Sequence, residues 1–212
     1  MKFALLSTAL LASSVASAST AINGWYLSGF GGVSHISSNI NTSHFGTFRS
    51  DARYHDGWNA GGRLGFQSNP IRYEFEYTFI YANAEHFEVN HIGQQNVVGH
   101  AAANVLMANL YYDFPEFLEA ISPFVGIGIG YAFMETKLDS NGPLAVTLFK
   151  ERENAFAYQG TAGLTYNFSE NYAINASYRY TATANNGRFG KSFQVQMGNA
   201  GIVYRFDSVN YK

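Results

Sequence analysis

The sequence contains no cysteine, so no disulfide can staple the fold, although its N-terminus has the layout of an exported chain. Proline is scarce at 4 residues, and charged residues make up only 13%. The basic residues form no cluster and the formal charge is −2, which argues against nucleic acid as a partner. Beyond the N-terminal segment no apolar run reaches the ~20 residues that a spanning helix needs. Aromatic residues (17%) and glycine (21) are abundant instead, the proportions of a sheet protein with an apolar outer surface.

Met1-Lys2 is followed by an apolar run from Phe3 to Leu11 and then by Ala16-Ser17-Ala18. Those features predict a secretory signal peptide, residues 1–18, cut between Ala18 and Ser19. Residues 19–212 then form one domain. Removing Lys2 leaves 12 Lys+Arg against 15 Asp+Glu, a charge of −3.

The remaining chain alternates with period 2 in eight segments, at 24–34, 57–67, 71–81, 101–114, 123–134, 154–168, 172–181 and 192–206. Each has one apolar face and one polar or small-residue face: Tyr172, Ile174, Ala176, Tyr178 and Tyr180 oppose Asn175, Ser177 and Arg179. A water-soluble sandwich would alternate in the same way, so the connections decide. Three are short, at 68–70, 115–122 and 169–171, and four are long, at 35–56, 82–100, 135–153 and 182–191. In an up-and-down meander all the long loops then share one end, the pattern of an outer-membrane barrel. Aromatics crowd the apolar face near the strand ends (Trp25, Trp58, Tyr73, Phe114, Phe124, Tyr166, Phe168, Tyr172, Tyr204, Phe206), where a ring with one wet edge suits a lipid headgroup boundary. Phe124 fits least well, because strict alternation turns it inward.

The segments GWYLSGFGG (24–32), GWNAGGRLGF (57–66), IRYEFEYTF (71–79), MANLYYDF (107–114), SPFVGIGIGYA (122–132), YQGTAGLTYNF (158–168), YAINASYRYT (172–181) and GIVYRF (201–206) together resemble the small eight-stranded outer-membrane barrels of the OmpA, OmpX and opacity-protein type. The resemblance implies an all-β fold, an eight-stranded antiparallel up-and-down transmembrane β-barrel. It further implies a bacterial outer-membrane location with long loops extracellular and termini periplasmic. The function implied is display of four loops for adhesion, host contact or envelope integrity. The implied partners are outer-membrane lipid and lipopolysaccharide, the outer-membrane assembly machinery, and a host surface ligand at the loops. Such barrels usually end on an aromatic residue, whereas here Asp207 to Lys212 follow Phe206.

An eight-stranded barrel is just wide enough to be filled by side chains. If Tyr73, Phe75, Tyr77 and Phe79 face lipid, then Arg72, Glu74, Glu76 and Thr78 face inward, and the tight turn at 68–70 sets Arg63 opposite Glu74 or Glu76. Asn109, Tyr111, Asp113, Gln159, Arg179 and Arg205 extend this expected polar network, and Gly126, Gly128 and Gly130 are expected to make room for long arginine and tyrosine side chains within it. The separation of Glu74 and Glu76 along a strand, about 6.6–6.8 Å, is close to that of an inverting glycosidase pair, but inside a plugged barrel there is no cleft for a sugar.

Two other functions compete with display. A narrow pore is disfavoured by a filled, charge-paired interior. A lipid A-modifying enzyme would need a Ser and His at the outer-leaflet level, and only His35-x-Ser37 resembles that, with no orienting acid beside it. All six histidines (His35, His44, His55, His86, His91, His100) lie in the first two long loops at spacings that match no metal signature, so solvated loop residues are expected. No catalytic residue, metal ligand or cofactor is assigned. Loop three contains Leu144 to Phe149, an alternating apolar run that would extend its two strands as a hairpin.

Overall fold

A computed structural model describes residues 23–36, 40–44, 48–54, 57–89, 92–93, 97–116, 120–141, 146–184 and 193–206. The expected cleavage site between Ala18 and Ser19 and the tail beyond Phe206 lie outside these residues. Eight antiparallel strands close into a barrel: β1 (Gly24–Ile36), β4 (Gly57–Ser68), β5 (Ile71–Val89), β7 (Val97–Asp113), β8 (Ile121–Asn141), β9 (Val146–Asn167), β10 (Tyr172–Thr183) and β11 (Gln194–Arg205). Each pairs with its neighbour in chain order, and β1 closes the ring on β11. Three shorter strands lie in the long connections: β2 (Ile40–His44) pairs with β3 (Phe48–Tyr54), β3 pairs with the far end of β5, and β6 (Ile92–Gly93) pairs with the same end of β5.

Closure leaves no edge within the barrel, which satisfies every ladder hydrogen bond in a medium without water. The register sets its dimensions. From Tyr26 the directly paired residues run Gly65, Glu74, Asn109, Gly128, Gln159, Thr181, Val195 and back to β1 at Ile36, ten residues above the start. Eight strands with this stagger tilt by roughly 40–45° from the barrel axis.

The outer face carries the lipid-matching pattern. Aliphatic side chains at mid-height (Leu27, Leu64, Ile127, Ile129, Leu164, Ile202) are exposed, Ile127 at 70%. Rings gather at both ends. Near the short turns Trp25 meets Phe66 at 5.5 Å and Tyr172 meets Tyr204 at 5.1 Å. Near the long connections Trp58 meets Phe79 at 5.4 Å and Tyr131 meets Phe156 at 5.8 Å. Two aromatic girdles around an aliphatic band are what a barrel surface needs at two headgroup boundaries.

Phe124 does not belong to this belt. It is 2% exposed and points into the barrel, because the alternation of β8 places Val125 and Ile127 in lipid. The strands also outrun their expected bounds: β5 and β7 stay paired to Ala84 and Gly99, inside the segment read as a loop. The alternating run in loop three does lengthen its strands, β8 reaching Asn141 and β9 starting at Val146.

Candidate functional site

The inward faces build a charged cluster in the half of the barrel nearer the short turns. Glu76, 0% exposed, is its centre. The hairpin at 68–70 sets Arg63 directly opposite Glu76, and Arg63 Nε donates to Glu76 Oε2 at 2.9 Å. Arg179, which arrives from β10 across the lumen, donates from Nη1 to Glu76 Oε1 at 2.8 Å, and the Thr78 hydroxyl donates to the same oxygen at 2.9 Å. Glu74 takes Arg72 Nη1 at 3.0 Å, lies 3.7 Å from Arg63 Nε, and accepts a short hydrogen bond from the Tyr26 hydroxyl. Nearer the turns Arg72 Nη2 sits 3.1 Å from Asp113 Oδ1, and Arg205 donates from Nη2 to Asn167 Oδ1 at 2.8 Å and from Nε to Gln67 Oε1 at 3.3 Å. Deeper in, Gln159 Nε2 donates to Asn109 Oδ1 at 2.7 Å.

Thus Arg63, Arg72, Glu74, Glu76, Asp113 and Arg179 share one ion network. Asn109 and Gln159 form a separate pair, and Arg205 sits at the edge of the network with amide partners. Tyr111 takes part through its ring, with the Arg72 guanidinium 4.7 Å from the centroid.

Sequence reasoning assigned Tyr111 to this cluster and noted the inward phase of Phe124 but missed Phe30. Phe30 lies between two guanidinium groups, with Arg63 Cζ at 4.1 Å and Arg179 Cζ at 4.7 Å from its ring centroid. Phe124 supports Arg72 in the same way at 4.8 Å. Cations facing a ring's negative surface are partly compensated for lost hydration. Each of these inward rings lies directly opposite a glycine on the neighbouring strand: Tyr26 and Gly65, Phe30 and Gly61, Tyr111 and Gly126, Phe124 and Gly163. At all four a Cβ would collide with the ring. The expected room beside Gly126, Gly128 and Gly130 goes to Tyr111, Asn109 and Met107, and to no arginine.

Towards the long connections the interior turns apolar. Ile36, Ile80, Val105, Met107, Ala132, Ala157, Val195 and Met197 form one buried cluster drawn from six strands. On β1, β10 and β11 the inward side chains of Ser28, Asn175, Ser177 and Asn199 have no hydrogen-bond partner among the described residues.

The other assigned residues fall elsewhere. His35 is exposed on the outer face of β1, and Ser37 lies outside the described residues. Among the described residues no three metal-ligating side chains come together, and of the other histidines no side chain is described.

A closed, tilted barrel with a lipid-matched exterior and a side-chain-filled, ion-paired interior is the architecture of a small outer-membrane barrel. The chain belongs to that family: residues 3–206 match the outer membrane protein beta-barrel domain. That membership places it in the bacterial outer membrane. Among solved structures it resembles Neisserial surface protein A, with TM-score 0.57 and 16% identity over 86% of this chain and 97% of that one. It also resembles OprG of Pseudomonas aeruginosa, with TM-score 0.59 and 12% identity over 90% and 99%. Ail, the attachment invasion locus protein of Yersinia pestis, matches at TM-score 0.47 and 19% identity over 87% and 100%. At these identities the likeness is one of fold. No curated protein matches the sequence.

Proposed function

We propose that the chain is a surface-display barrel, with its long connections outside the cell and its short turns in the periplasm, and that those connections contact a host surface or another component of the envelope. What supports the reading is the inequality of the two ends. At one end the strands stop at turns such as Asn69-Pro70. At the other, β8 and β9 stay paired as far as Asn141 and Val146, and β3 adds itself to β5 at Ser50 and Val89. This builds a raised sheet whose outer rims, among the described residues, are β2, paired only with β3, and the start of β9, paired only with β8. Unpaired strand rims present backbone donors and acceptors to an extended segment of a partner.

The absence of cysteine makes the orientation easy to test. Single cysteines at Asn41, Asn90, Asn141 and Asn186, exposed to an impermeant maleimide on intact cells, are all expected to label. One silent position breaks the topology. Deleting residues 140–149 is then expected to lower attachment to host cells while leaving the folded barrel in the membrane. Unchanged attachment removes that hairpin from the contact.

A further inference from the structure

We infer that the turn end of the barrel holds a binding site for an oxyanion, a phosphate or a carboxylate, with Arg205 as its principal donor. This lies at the opposite end from the display surface and does not depend on it. Four arginines and three carboxylates point into this half of the barrel. Among the described residues Arg63 and Arg179 pair with Glu76 and Arg72 pairs with Glu74 and Asp113, whereas Arg205 comes within ion-pair distance of no carboxylate. Arg205 is only 4% exposed, and among the described residues its Nη1 has no hydrogen-bond partner. Arg72 Nε, also buried, has none either.

Both guanidinium groups line one cavity of about 560 Å3 that opens at the turns. Thr165 and Ser122 add hydroxyls to its wall, and Pro115 adds apolar surface. Two carboxylates share the lining. Asp113 is engaged by Arg72 and by Gln67 Nε2 at 3.4 Å, and Glu116 is exposed, where solvent ions screen it. Donors without acceptors on two rigidly held forks match the oxygens of a carboxylate or phosphate. The cavity exceeds a bare oxyanion and leaves room for a larger ligand that carries one. A lipid headgroup and a free solute share that chemistry.

The test follows the side-chain Nε resonances of Arg72 and Arg205 in the folded full-length chain in maltoside micelles, with inorganic phosphate added at constant ionic strength. A saturable shift of both resonances is expected, and Arg205→Gln is expected to abolish that of Arg72. Asp113→Asn, which removes a carboxylate and no donor, is expected to tighten phosphate at least about fivefold. It keeps the test decisive if Arg205→Gln fails to fold. Nanodiscs with and without phosphatidylglycerol separate the sources: a shift seen only with the anionic lipid assigns the site to a headgroup. The proposal is overturned if neither phosphate nor anionic lipid moves either resonance, if the Arg72 shift survives Arg205→Gln, or if Asp113→Asn binds phosphate more weakly.

Discussion

Glu76 holds two arginines that reach it from different sides of the lumen, Arg63 from the adjacent strand and Arg179 from β10. Removing it leaves both guanidinium groups buried with no carboxylate of comparable closeness, although Glu74 remains 3.7 Å from Arg63. Breaking a buried pair typically costs about 3–5 kcal/mol, most of it the desolvation of the orphaned charge. Glu76→Ala is therefore expected to lose stability on that scale in urea unfolding from phospholipid vesicles. Glu76→Gln, which retains an acceptor for Thr78, is expected to lose less. Trp25 and Trp58, exposed to lipid near opposite ends, report the transition by fluorescence. Wild-type stability in Glu76→Ala would contradict the role given to these ion pairs.

Along a single strand the two faces answer to different solvents, and β8 separates them at adjacent positions. Gly126 faces the Tyr111 ring, so Gly126→Ala forces the ring aside and is expected to cost about 1–3 kcal/mol, a cost expected to be largely absent when it is made in a Tyr111→Ala background. Ile127, one residue on, lies in lipid at mid-height. Ile127→Arg is expected to cost about 2–4 kcal/mol in bilayers. A Tyr111→Ala background is not expected to relieve it, because nothing inside the barrel is disturbed; relief there would contradict the assignment of faces. These faces were legible in the sequence because lipid on one side and packed polar groups on the other enforce period 2 over each strand, as in IRYEFEYTF. The long and short connections were legible for the same topological reason. Register was not. Whether Tyr111 meets Gly126 depends on how many residues the 114–120 connection absorbs, and composition does not fix that. Phe124 was misplaced because an aromatic at a strand end looks like a girdle residue; its phase against Val125 and Ile127 was the better guide. Phe30 was recoverable by the same rule, since Trp25, Leu27 and Val33 set the phase of β1, but the surrounding glycines blurred the alternation.

At the scale of the whole barrel the interior is graded from charged to apolar. Along β5 the inward residues run Arg72, Glu74, Glu76, Thr78, Ile80, Ala82, and along β7 they run back as Ala103, Val105, Met107, Asn109, Tyr111, Asp113. Conduction would need a hydrated path through both halves. The charged half is cross-linked, yet the unpartnered Ser28, Asn175, Ser177 and Asn199 could let water into its β10–β11 side. The apolar half is then the barrier, because a constriction lined by Ile80, Val105, Met107, Val195 and Met197 offers an ion nothing in exchange for its hydration. In planar bilayers the wild-type protein is accordingly expected to give no ohmic steps. Glu76→Ala is expected to stay silent too, because loosening the ion pairs leaves the apolar layer in place. Met107→Ser combined with Met197→Ser hydrates that layer from two strands and is expected to produce conductance events. Ohmic steps in the wild-type protein that vanish on changing Arg63 or Glu76 would reverse the argument, making the charged cluster the lining of a pore and the apolar layer permeable.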